Sequence, residues 1–217
     1  MQVRAVLFDL DGVLIDSSSF HRESWTKLGS EIGFQMTDAV FWETFGMPNR
    51  QIFPLLFGRA LPEAEASALS ERKEELFRAL ARGRLQALPG AIDLLRSLKE
   101  SGFRLALGSS TPRSNVDVIL ETLGVACLFD GTVTADDVTH GKPNPEVFLT
   151  AAARVAVPPE RCVVVEDAVV GVEAARAAGM RCLAVTTTHP AERLAAADRI
   201  VAGLAGLGPE DFEALLA

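Results

Sequence analysis

Short apolar runs that alternate with helical patterns are the feature that most constrains the fold of this chain. Each run has three or four residues and stops at polar or glycine residues, which is typical of buried parallel strands. The runs are Ala5–Phe8, Leu105–Leu107, Thr132–Thr134, Cys162–Val165, Cys182–Val185 and Arg199–Ala202. This alternation predicts βαβ units, and therefore an α/β fold with a three-layer, Rossmann-like core around a mostly parallel sheet.

Proline, asparagine and glycine mark the ends of the helices expected between these runs. One helix begins after Pro89-Gly90 and ends before Gly102. Thr111-Pro112 and Asn144-Pro145 each match an N-cap followed by proline at the first helical position. Gly179 matches the left-handed glycine that often follows the last turn of a helix. These signals predict the helices that connect the strands of the sheet.

The segment from about Ser17 to Leu88 interrupts the alternation. It contains helical patterns only, including the charged stretch Glu63–Arg84. An all-helical segment between the first strand and the next βα unit is typical of an inserted second module. We therefore expect a core built from residues 1–16 and 88–217, and a helical cap at residues 17–87.

Polar side chains follow the predicted strands where each strand ends. Asp9 follows the first run, Ser109 follows the second, and Glu166-Asp167 follows the run that begins at Cys162. Lys142 lies in the loop before the helix that starts near Asn144. Because ligands of open α/β sheets bind beyond the carboxyl ends of the strands, these side chains are the first candidates for a site.

Most of these features also have a purely structural explanation. Asp9-Leu10-Asp11-Gly12 can be a strand end followed by an Asp-Gly turn. Ser109 can serve only as a helix N-cap, and a single loop lysine such as Lys142 is usually solvated. Glu166-Asp167 is harder to explain, because two adjacent carboxylates at a buried strand end repel each other. A hard divalent cation with oxygen ligands would relieve that repulsion.

Together these features suit one reaction, the attack of a carboxylate on a phosphate dianion. The repulsion is about 8 kcal/mol, from about 4 kcal/mol per charge pair at about 4 Å and an effective dielectric constant of about 20. Magnesium and a lysine ammonium group would remove most of that penalty. Asp9 could then form an aspartyl phosphate. Asp11 points the same way along an extended segment and could donate and later remove a proton.

The four motifs, in this order, resemble those of the haloacid dehalogenase superfamily, in the group with a helical cap after the first strand. The resemblance spans nearly the whole chain. It implies that Asp9 is the nucleophile and that Asp11 is the general acid and base. It also implies that Ser109 and Lys142 bind the oxygens of the phosphoryl group. Dehalogenases of this superfamily replace the second aspartate, so Asp11 favours phosphoryl transfer.

The same resemblance implies a magnesium site. Its ligands would be the carboxylates of Asp9 and Asp167 and the backbone carbonyl of Asp11. Glu166 would bind the ion directly or through water. Mg²⁺ is therefore the cofactor that the resemblance predicts.

Within the superfamily the chain is most similar to the branch of β-phosphoglucomutase and its phosphatase relatives. The residues that carry this similarity are Asp16, Ser17, His21, Trp25 and the pair Asn49-Arg50. The similarity implies that Arg50 and His21 bind the substrate, with His21 at the hinge of the cap. The alternatives are an Arg50 that meets only water and a His21 that packs against Trp25, four residues along the helix. For Trp25 we expect packing.

Two departures from the mutase pattern favour a phosphatase. The lysine that precedes the cap arginine in the mutase is missing, and Thr44, Phe45 and Gly46 occupy this region. Pro112-Arg113 stands where the mutase has a lysine–asparagine pair after the serine motif. Arg113 either takes over the binding of phosphate or faces solvent. Ser110 and Arg113 are thus further candidates for substrate binding.

Charge and hydropathy limit the partners of the chain. The net charge of −8 would repel nucleic acid and anionic membranes, and no cluster of lysine and arginine offsets it. The N-terminus does not have the form of a signal peptide, since Asp9 and Asp11 end its apolar run early. We expect a cytoplasmic monomer that acts on a small phosphorylated metabolite.

The leading functional hypothesis is a magnesium-dependent phosphatase that hydrolyses a small sugar or polyol phosphate. The first alternative is a hexose-phosphate mutase of the β-phosphoglucomutase type, in which a sugar hydroxyl replaces water as the acceptor. An alternative from another class is a non-catalytic module that only binds phosphate. No residue favours this last alternative, because every acidic and basic group that the chemistry needs is present.

Overall fold

The computed structural model describes residues 3–45 and 47–217, so that Gly46 of the mutase comparison lies outside the described residues. Each predicted apolar run forms a strand, and each end lies within one residue of its predicted position. The strands are β1 (Ala5–Phe8), β2 (Arg104–Gly108), β3 (Gly131–Val133), β4 (Cys162–Glu166), β5 (Arg181–Val185) and β6 (Arg199–Val201). They form one sheet in the order β3-β2-β1-β4-β5-β6, and every described pair is parallel.

The α-helices occupy the segments between the strands and the insertion. In the insertion they are α1 (Ser18–Ile32), α2 (Asp38–Thr44), α3 (Asn49–Phe57) and α4 (Glu63–Ala81). The remaining ones are α5 (Ala91–Glu100), α6 (Arg113–Leu123), α7 (Glu146–Arg154), α8 (Val169–Ala177) and α9 (Pro209–Leu216). Among the described residues, none of these helices combines the length and the hydropathy needed to span a membrane.

Helices lie on both faces of the sheet, which gives the predicted three layers. Side chains of α7 and α8, such as Phe148 and Val172, pack with Leu7 and Val164 of the sheet in one buried cluster. Helices α5 and α9 contact each other and contact β2 and β4, respectively. The buried residues of α5 and α9 do not belong to that cluster, so these two helices cover the other face. The predicted α/β, Rossmann-like class is confirmed.

The two helix starts that we predicted from an N-cap followed by proline each lie one residue later than predicted. Helix α6 begins at Arg113, because Pro112 has an extended ψ of 147° and so takes the N-cap position that we predicted for Thr111. The residue before a proline avoids the helical region, which frees Thr111 for other contacts. Helix α7 shows the same shift: it begins at Glu146, and Pro145 takes the N-cap position that we predicted for Asn144, whose Oδ1 atom accepts a hydrogen bond from the backbone N–H of Glu146 at 3.0 Å.

The chain divides into two compact units. The sheet unit combines the N-terminal segment up to Asp16 with Gln86–Ala217, and the helical unit is Ser17–Leu85. Within the sheet unit, the chain segments on the two sides of the insertion are joined. Ile15 forms an antiparallel bridge with Ala87, and the N–H of Leu88 donates to the carbonyl of Leu14 at 2.8 Å.

The helical unit has a hydrophobic core of its own. Trp25 and Leu28 of α1, Phe41 of α2 and Phe53 of α3 are buried together in it. Helix α4 contacts α1 and α3. The Trp25 ring meets the Phe53 ring edge to face, with 5.5 Å between the ring centroids. The prediction that Trp25 packs in the interior is confirmed.

Candidate active site

The centre of the sheet determines where the predicted site residues meet. Phe8 at the end of β1 pairs with Leu107 of β2 on one side and with Val165 of β4 on the other. The strand order reverses at β1, which makes this edge the switch point where open α/β sheets bind ligands. Asp9 continues from β1, and its backbone N–H donates to the carbonyl of Val165 at 3.0 Å.

Lys142 joins two of the acidic residues at this edge. Its Nζ atom donates to Oδ1 of Asp9 at 2.7 Å and to Oε1 of Glu166 at 2.5 Å. The side chains of all three residues are almost completely buried. Burial by itself lowers the pKa of Lys142, but the Asp9 and Glu166 carboxylates outweigh this and raise it above its usual range. Lys142 is therefore a permanent cation beside Asp9.

The loop that carries Lys142 is anchored to the start of α7. The carboxylate of Glu146, the first residue of that helix, accepts the backbone N–H groups of Thr139 at 2.8 Å and His140 at 2.9 Å. A carboxylate in the first turn of a helix is also favoured by the helix dipole. These bonds hold the loop on one side of Lys142, and the hydrogen bond from the N–H of Glu146 to Oδ1 of Asn144 holds it on the other.

Glu166 makes hydrogen bonds with both of its carboxylate oxygens. Oε1 accepts from Lys142, and Oε2 accepts from the backbone N–H groups of Asp167 at 2.8 Å and Ala168 at 2.9 Å. Gly171 leaves the space for this carboxylate, because a Cβ atom there would lie 1.9 Å from the Glu166 carboxyl carbon. The arrangement makes Glu166 the buried counterion that orients Lys142.

Asp9, Glu166 and Asp167 form a cluster whose ligand atoms all lie within 4.8 Å of one another. Burial raises the pKa of Asp9 to about 7, against the lowering effect of Lys142. Burial, together with the neighbouring Asp9 and Glu166 carboxylates, raises the pKa of Asp167 to about 9. Three buried carboxylates with a single lysine carry excess negative charge, and hard carboxylate oxygens are the ligands that Mg²⁺ prefers. The donor set therefore fits a magnesium ion.

Gly12 makes room for one of these carboxylates. Its φ is +78°, and a Cβ atom there would lie 1.9 Å from Oδ2 of Asp167 and 2.9 Å from Oγ1 of Thr188. A side chain at this position would therefore strain the backbone and displace Asp167. Gly12 is therefore required for the space beside Asp167 as well as for the turn.

Asp11 and Ser109 are linked through a residue that we predicted only as an N-cap. The hydroxyl of Thr111 donates to Oδ2 of Asp11 at 2.7 Å, and the backbone N–H of Thr111 donates to Oγ of Ser109 at 3.0 Å. Ser109 is buried, whereas the neighbouring Ser110 is exposed. The exposed Ser110 makes no hydrogen bond to another described residue through its side chain.

Arg113 lies at the same edge of the sheet, but its side chain has protein partners. The guanidinium group pairs with Asp137 at 2.7 Å and donates to the carbonyl of Thr132 at 3.3 Å. Asp137 also binds Arg154 at 2.7 Å. Both bonds of Arg113 start at one atom, Nη2, so Arg113 is not purely solvated, and its other side-chain N–H groups have no partner among the described residues.

The two candidates from the helical unit have different surroundings. Arg50 is exposed and forms an ion pair with Glu63. The His21 ring stacks on Phe77 with 4.1 Å between the ring centroids, and its Nδ1 atom lies 2.6 Å from Nζ of Lys73. Burial first, and the Lys73 cation second, lower the pKa of His21 to about 3. His21 is therefore a neutral acceptor of a hydrogen bond from Lys73.

Three features of these sites lie beyond the sequence predictions. The Lys73–Glu74 pair is buried in α4, with 2.9 Å between Nζ and Oε1, although the charged stretch around it is typical of a solvated helix. Thr111 has a side-chain partner that is distant in sequence, and Gly171 has a steric role. Two signals in the sequence could have indicated the last two features. Thr111 precedes a proline, which keeps it out of the helix, and Gly171 occupies a helical position, where glycine is unfavourable unless space is needed.

Comparison with known proteins agrees with this geometry. Residues 3–179 match the family model of the haloacid dehalogenase-like hydrolases. The chain is 37% identical over 210 residues to validoxylamine A 7'-phosphate phosphatase of Streptomyces hygroscopicus subsp. limoneus, covering 93% of this chain and 94% of that protein. It is 34% identical to the fructose-1-phosphate phosphatase of Escherichia coli, covering 81% of this chain and 92% of that protein.

A solved structure extends the comparison to the fold. The crystal structure of β-phosphoglucomutase from Clostridium difficile matches 99% of this chain and 97% of its own chain, with a TM-score of 0.84 and 26% sequence identity. The family match covers most of the chain and includes Asp9, Ser109, Lys142 and Glu166-Asp167. The chain therefore belongs to the haloacid dehalogenase-like hydrolase family of enzymes.

Proposed function

We propose that this protein is a magnesium-dependent phosphatase that hydrolyses a small sugar or polyol phosphate through an aspartyl phosphate on Asp9. The observation that carries the proposal is the position of Asp9, which combines a lysine partner at 2.7 Å with a place in the carboxylate cluster. Such a carboxylate can approach a phosphate dianion only where nearby positive charge offsets the repulsion. The two curated relatives described above are both named as phosphatases, which supports hydrolysis.

Asp9 and Asp11 have separate roles in each half of the reaction. An oxygen of Asp9 forms a bond to phosphorus while the bond from phosphorus to the substrate's alcohol oxygen breaks, and that oxygen takes a proton from Asp11. Asp11 then removes a proton from water, whose oxygen bonds to phosphorus as the aspartyl P–O bond breaks. Inorganic phosphate leaves, and both aspartates return to their starting states.

The other residues of the edge hold the phosphoryl group and its charge. Lys142 neutralises charge on the transferring oxygens, and Glu166 keeps the ammonium group in place. Ser109 and the exposed Ser110 donate hydrogen bonds to the phosphoryl oxygens. Magnesium, held by Asp9, Asp167 and the backbone carbonyl of Asp11, supplies further positive charge at the phosphoryl group when it is bound. Glu166 would lie close to the ion, bound directly or through water, and both of its oxygens already accept hydrogen bonds.

A hexose-phosphate mutase is the second candidate, and one observation favours it. The match to the β-phosphoglucomutase structure covers 99% of this chain. The ion pair of Arg113 with Asp137 speaks against it, because a second phosphate would have to share the guanidinium with that carboxylate. The assignment of Arg50 and His21 to substrate binding stays a prediction, as do the cytoplasmic location and the monomeric state.

A product assay separates these functions. The purified protein is incubated with Mg²⁺ and a panel of β-glucose 1-phosphate, glucose 6-phosphate and fructose 1-phosphate, with a trace of glucose 1,6-bisphosphate as primer. We expect inorganic phosphate without isomerisation. Glucose 6-phosphate that appears faster than phosphate would establish the mutase instead.

A substitution at Asp9 tests the covalent step. We expect Asp9→Asn to abolish phosphate release while its circular dichroism spectrum matches that of the wild type, because the carboxylate belongs to the site. Turnover that persists in this variant would refute Asp9 as the nucleophile. A wild type that releases no phosphate from any member of the panel, with or without Mg²⁺, would leave the non-catalytic module as the better description.

A further inference from the structure

Thr111 is held rigidly by its own backbone at the carboxyl edge of the sheet. Its N–H donates to Oγ of Ser109 at 3.0 Å, and its carbonyl accepts the N–H of Ala135 at 3.1 Å. The proline that follows restricts Thr111 to extended conformations. Its β-branched side chain has few rotamers, so the position of the hydroxyl is largely fixed by the backbone. Thr111 is therefore a preorganised hydrogen-bonding group.

The fixed hydroxyl is directed at Asp11. The distance from Oγ1 of Thr111 to Oδ2 of Asp11 is 2.7 Å, which is a strong hydrogen bond between two residues a hundred positions apart in sequence. A hydroxyl can donate to a carboxylate and can accept from a carboxylic acid. It therefore suits a carboxyl group that gives and takes a proton in alternate halves of one reaction, and it restricts rotation of that group.

We propose that Thr111 is a positioning residue that orients the Asp11 carboxyl group for proton transfer to the leaving alcohol. This inference rests on the proposed function. It requires that loss of the Thr111 hydroxyl slows only those reactions in which the leaving group needs a proton. A sugar alkoxide needs that proton, whereas 4-nitrophenolate leaves without it.

The test compares two probes and three variants. The probes are 4-nitrophenyl phosphate and the sugar phosphate from the panel above that is hydrolysed fastest. The variants are Thr111→Val, which keeps the shape, Thr111→Ser, which keeps the hydroxyl, and Asp11→Asn, which removes the acid. Thr122→Val serves as the control, since the Thr122 side chain, near the end of α6, has no hydrogen-bond partner among the described residues. The measured quantity is kcat/KM, which covers formation of the phosphoenzyme and departure of the alcohol.

We expect Thr111→Val to lower kcat/KM by about 10- to 100-fold on the sugar phosphate and by less than about threefold on 4-nitrophenyl phosphate. Asp11→Asn should give the same pattern with a larger loss on the sugar phosphate, and Thr111→Ser should recover most of the activity. If Thr111 had a role in folding alone, Thr111→Val would lower kcat/KM equally for both probes, which would overturn the proposal. A Thr111→Ser variant with a kcat/KM on the sugar phosphate as low as that of Thr111→Val would also overturn it.

Different results would refute the role of Thr111 and the proposed function. If the wild type is active and Asp11→Asn shows the dependence on the leaving group, a Thr111→Val variant that behaves like the wild type refutes only the role of Thr111. If Asp11→Asn lowers both probes equally, Asp11 is not the acid, and both assignments fall. A wild type without magnesium-dependent activity on either probe refutes the proposed function and this inference together.

Discussion

The neutral state of His21 inside the helical unit has a measurable consequence for stability. Its Nδ1 atom lies 2.6 Å from the Lys73 ammonium group and its ring stacks on Phe77, so a proton on Nδ1 would meet a cation in a partly buried place. Burial and Lys73 together lower the pKa of His21 to about 3. In the unfolded chain the same side chain has a pKa of about 6.5. Protonation of His21 therefore opposes folding.

The size of the effect follows from linkage. A group whose pKa is lower in the folded state contributes stability that is complete above its unfolded pKa and is lost as the pH falls. At about pH 5, the unfolded state is favoured by RT ln(1 + 10^1.5), or about 2 kcal/mol, relative to neutral pH. This value depends mainly on the unfolded pKa, because the folded pKa of about 3 lies well below pH 5. The loss continues down to about pH 3.

In the assay, tryptophan fluorescence reports on the unfolding of the helical unit. The chain has two tryptophans, Trp25 and Trp42, and both lie in that unit. We propose urea unfolding of the wild type and of His21→Asn at about pH 7.5 and about pH 5. Between these two conditions, the free energy of unfolding of the wild type should fall by about 2 kcal/mol more than that of the variant. The asparagine amide oxygen can still accept a hydrogen bond from Lys73, which makes the pair well matched.

Other ionisable groups cancel in this comparison. His140, His189 and the carboxylates are present in both proteins, so only the difference between the two pH effects is attributed to His21. An equal loss in the wild type and in His21→Asn would refute the reasoning. It would mean that His21 titrates normally in the folded protein and is not held neutral beside Lys73.

Three further predictions concern the sheet unit. Gly171→Ala should lower kcat about 100-fold, because the new Cβ atom would lie 1.9 Å from the Glu166 carboxyl carbon and displace that group. The control Gly203→Ala should be fully active, since its Cβ atom would meet nothing within 4 Å. Equal kcat values for the two variants would contradict the steric argument. Mg²⁺ at about 100 times its dissociation constant should stabilise the wild type by about 2.7 kcal/mol in thermal unfolding, and Asp167→Asn should lose most of this gain if the carboxylate cluster is the metal site. Phe212→Ala should cost about 3–5 kcal/mol in urea unfolding followed by circular dichroism, since the ring is fully buried; a loss below about 1 kcal/mol would argue against its place in the core.

The sheet and its functional edge could be predicted because they depend on local patterns. Apolar runs such as Cys162–Val165 have the length and composition of buried strands, and parallel strands bring the residues after them to one edge. This placed Asp9, Ser109 and Asp167 together without knowledge of any single contact. The class of site follows from topology, which the alternation of strands and helices already contains.

The details of the site depend on contacts between distant parts of the chain. Nothing in the sequence near Thr111 indicates that its hydroxyl reaches Asp11, because the pairing arises only when β1 and β2 lie side by side. The burial of Lys73 is hidden for a similar reason. The residues on either side of the Lys73–Glu74 pair, Arg72 and Glu75, are charged and exposed, and the place of Lys73 beside His21 is created by the packing of α1 against α4.

The joined ends of the insertion bear on how such a chain can change over time. Ile15 pairs with Ala87, and Leu88 bonds to Leu14, so the chain leaves and re-enters the sheet unit at one closed junction. The entropy of closing a loop grows only slowly with its length, by about 0.6 kcal/mol for each doubling. The sheet therefore tolerates inserts of very different size between β1 and β2. The insert can therefore change in length and sequence while the residues at the carboxyl edge of the sheet stay in place.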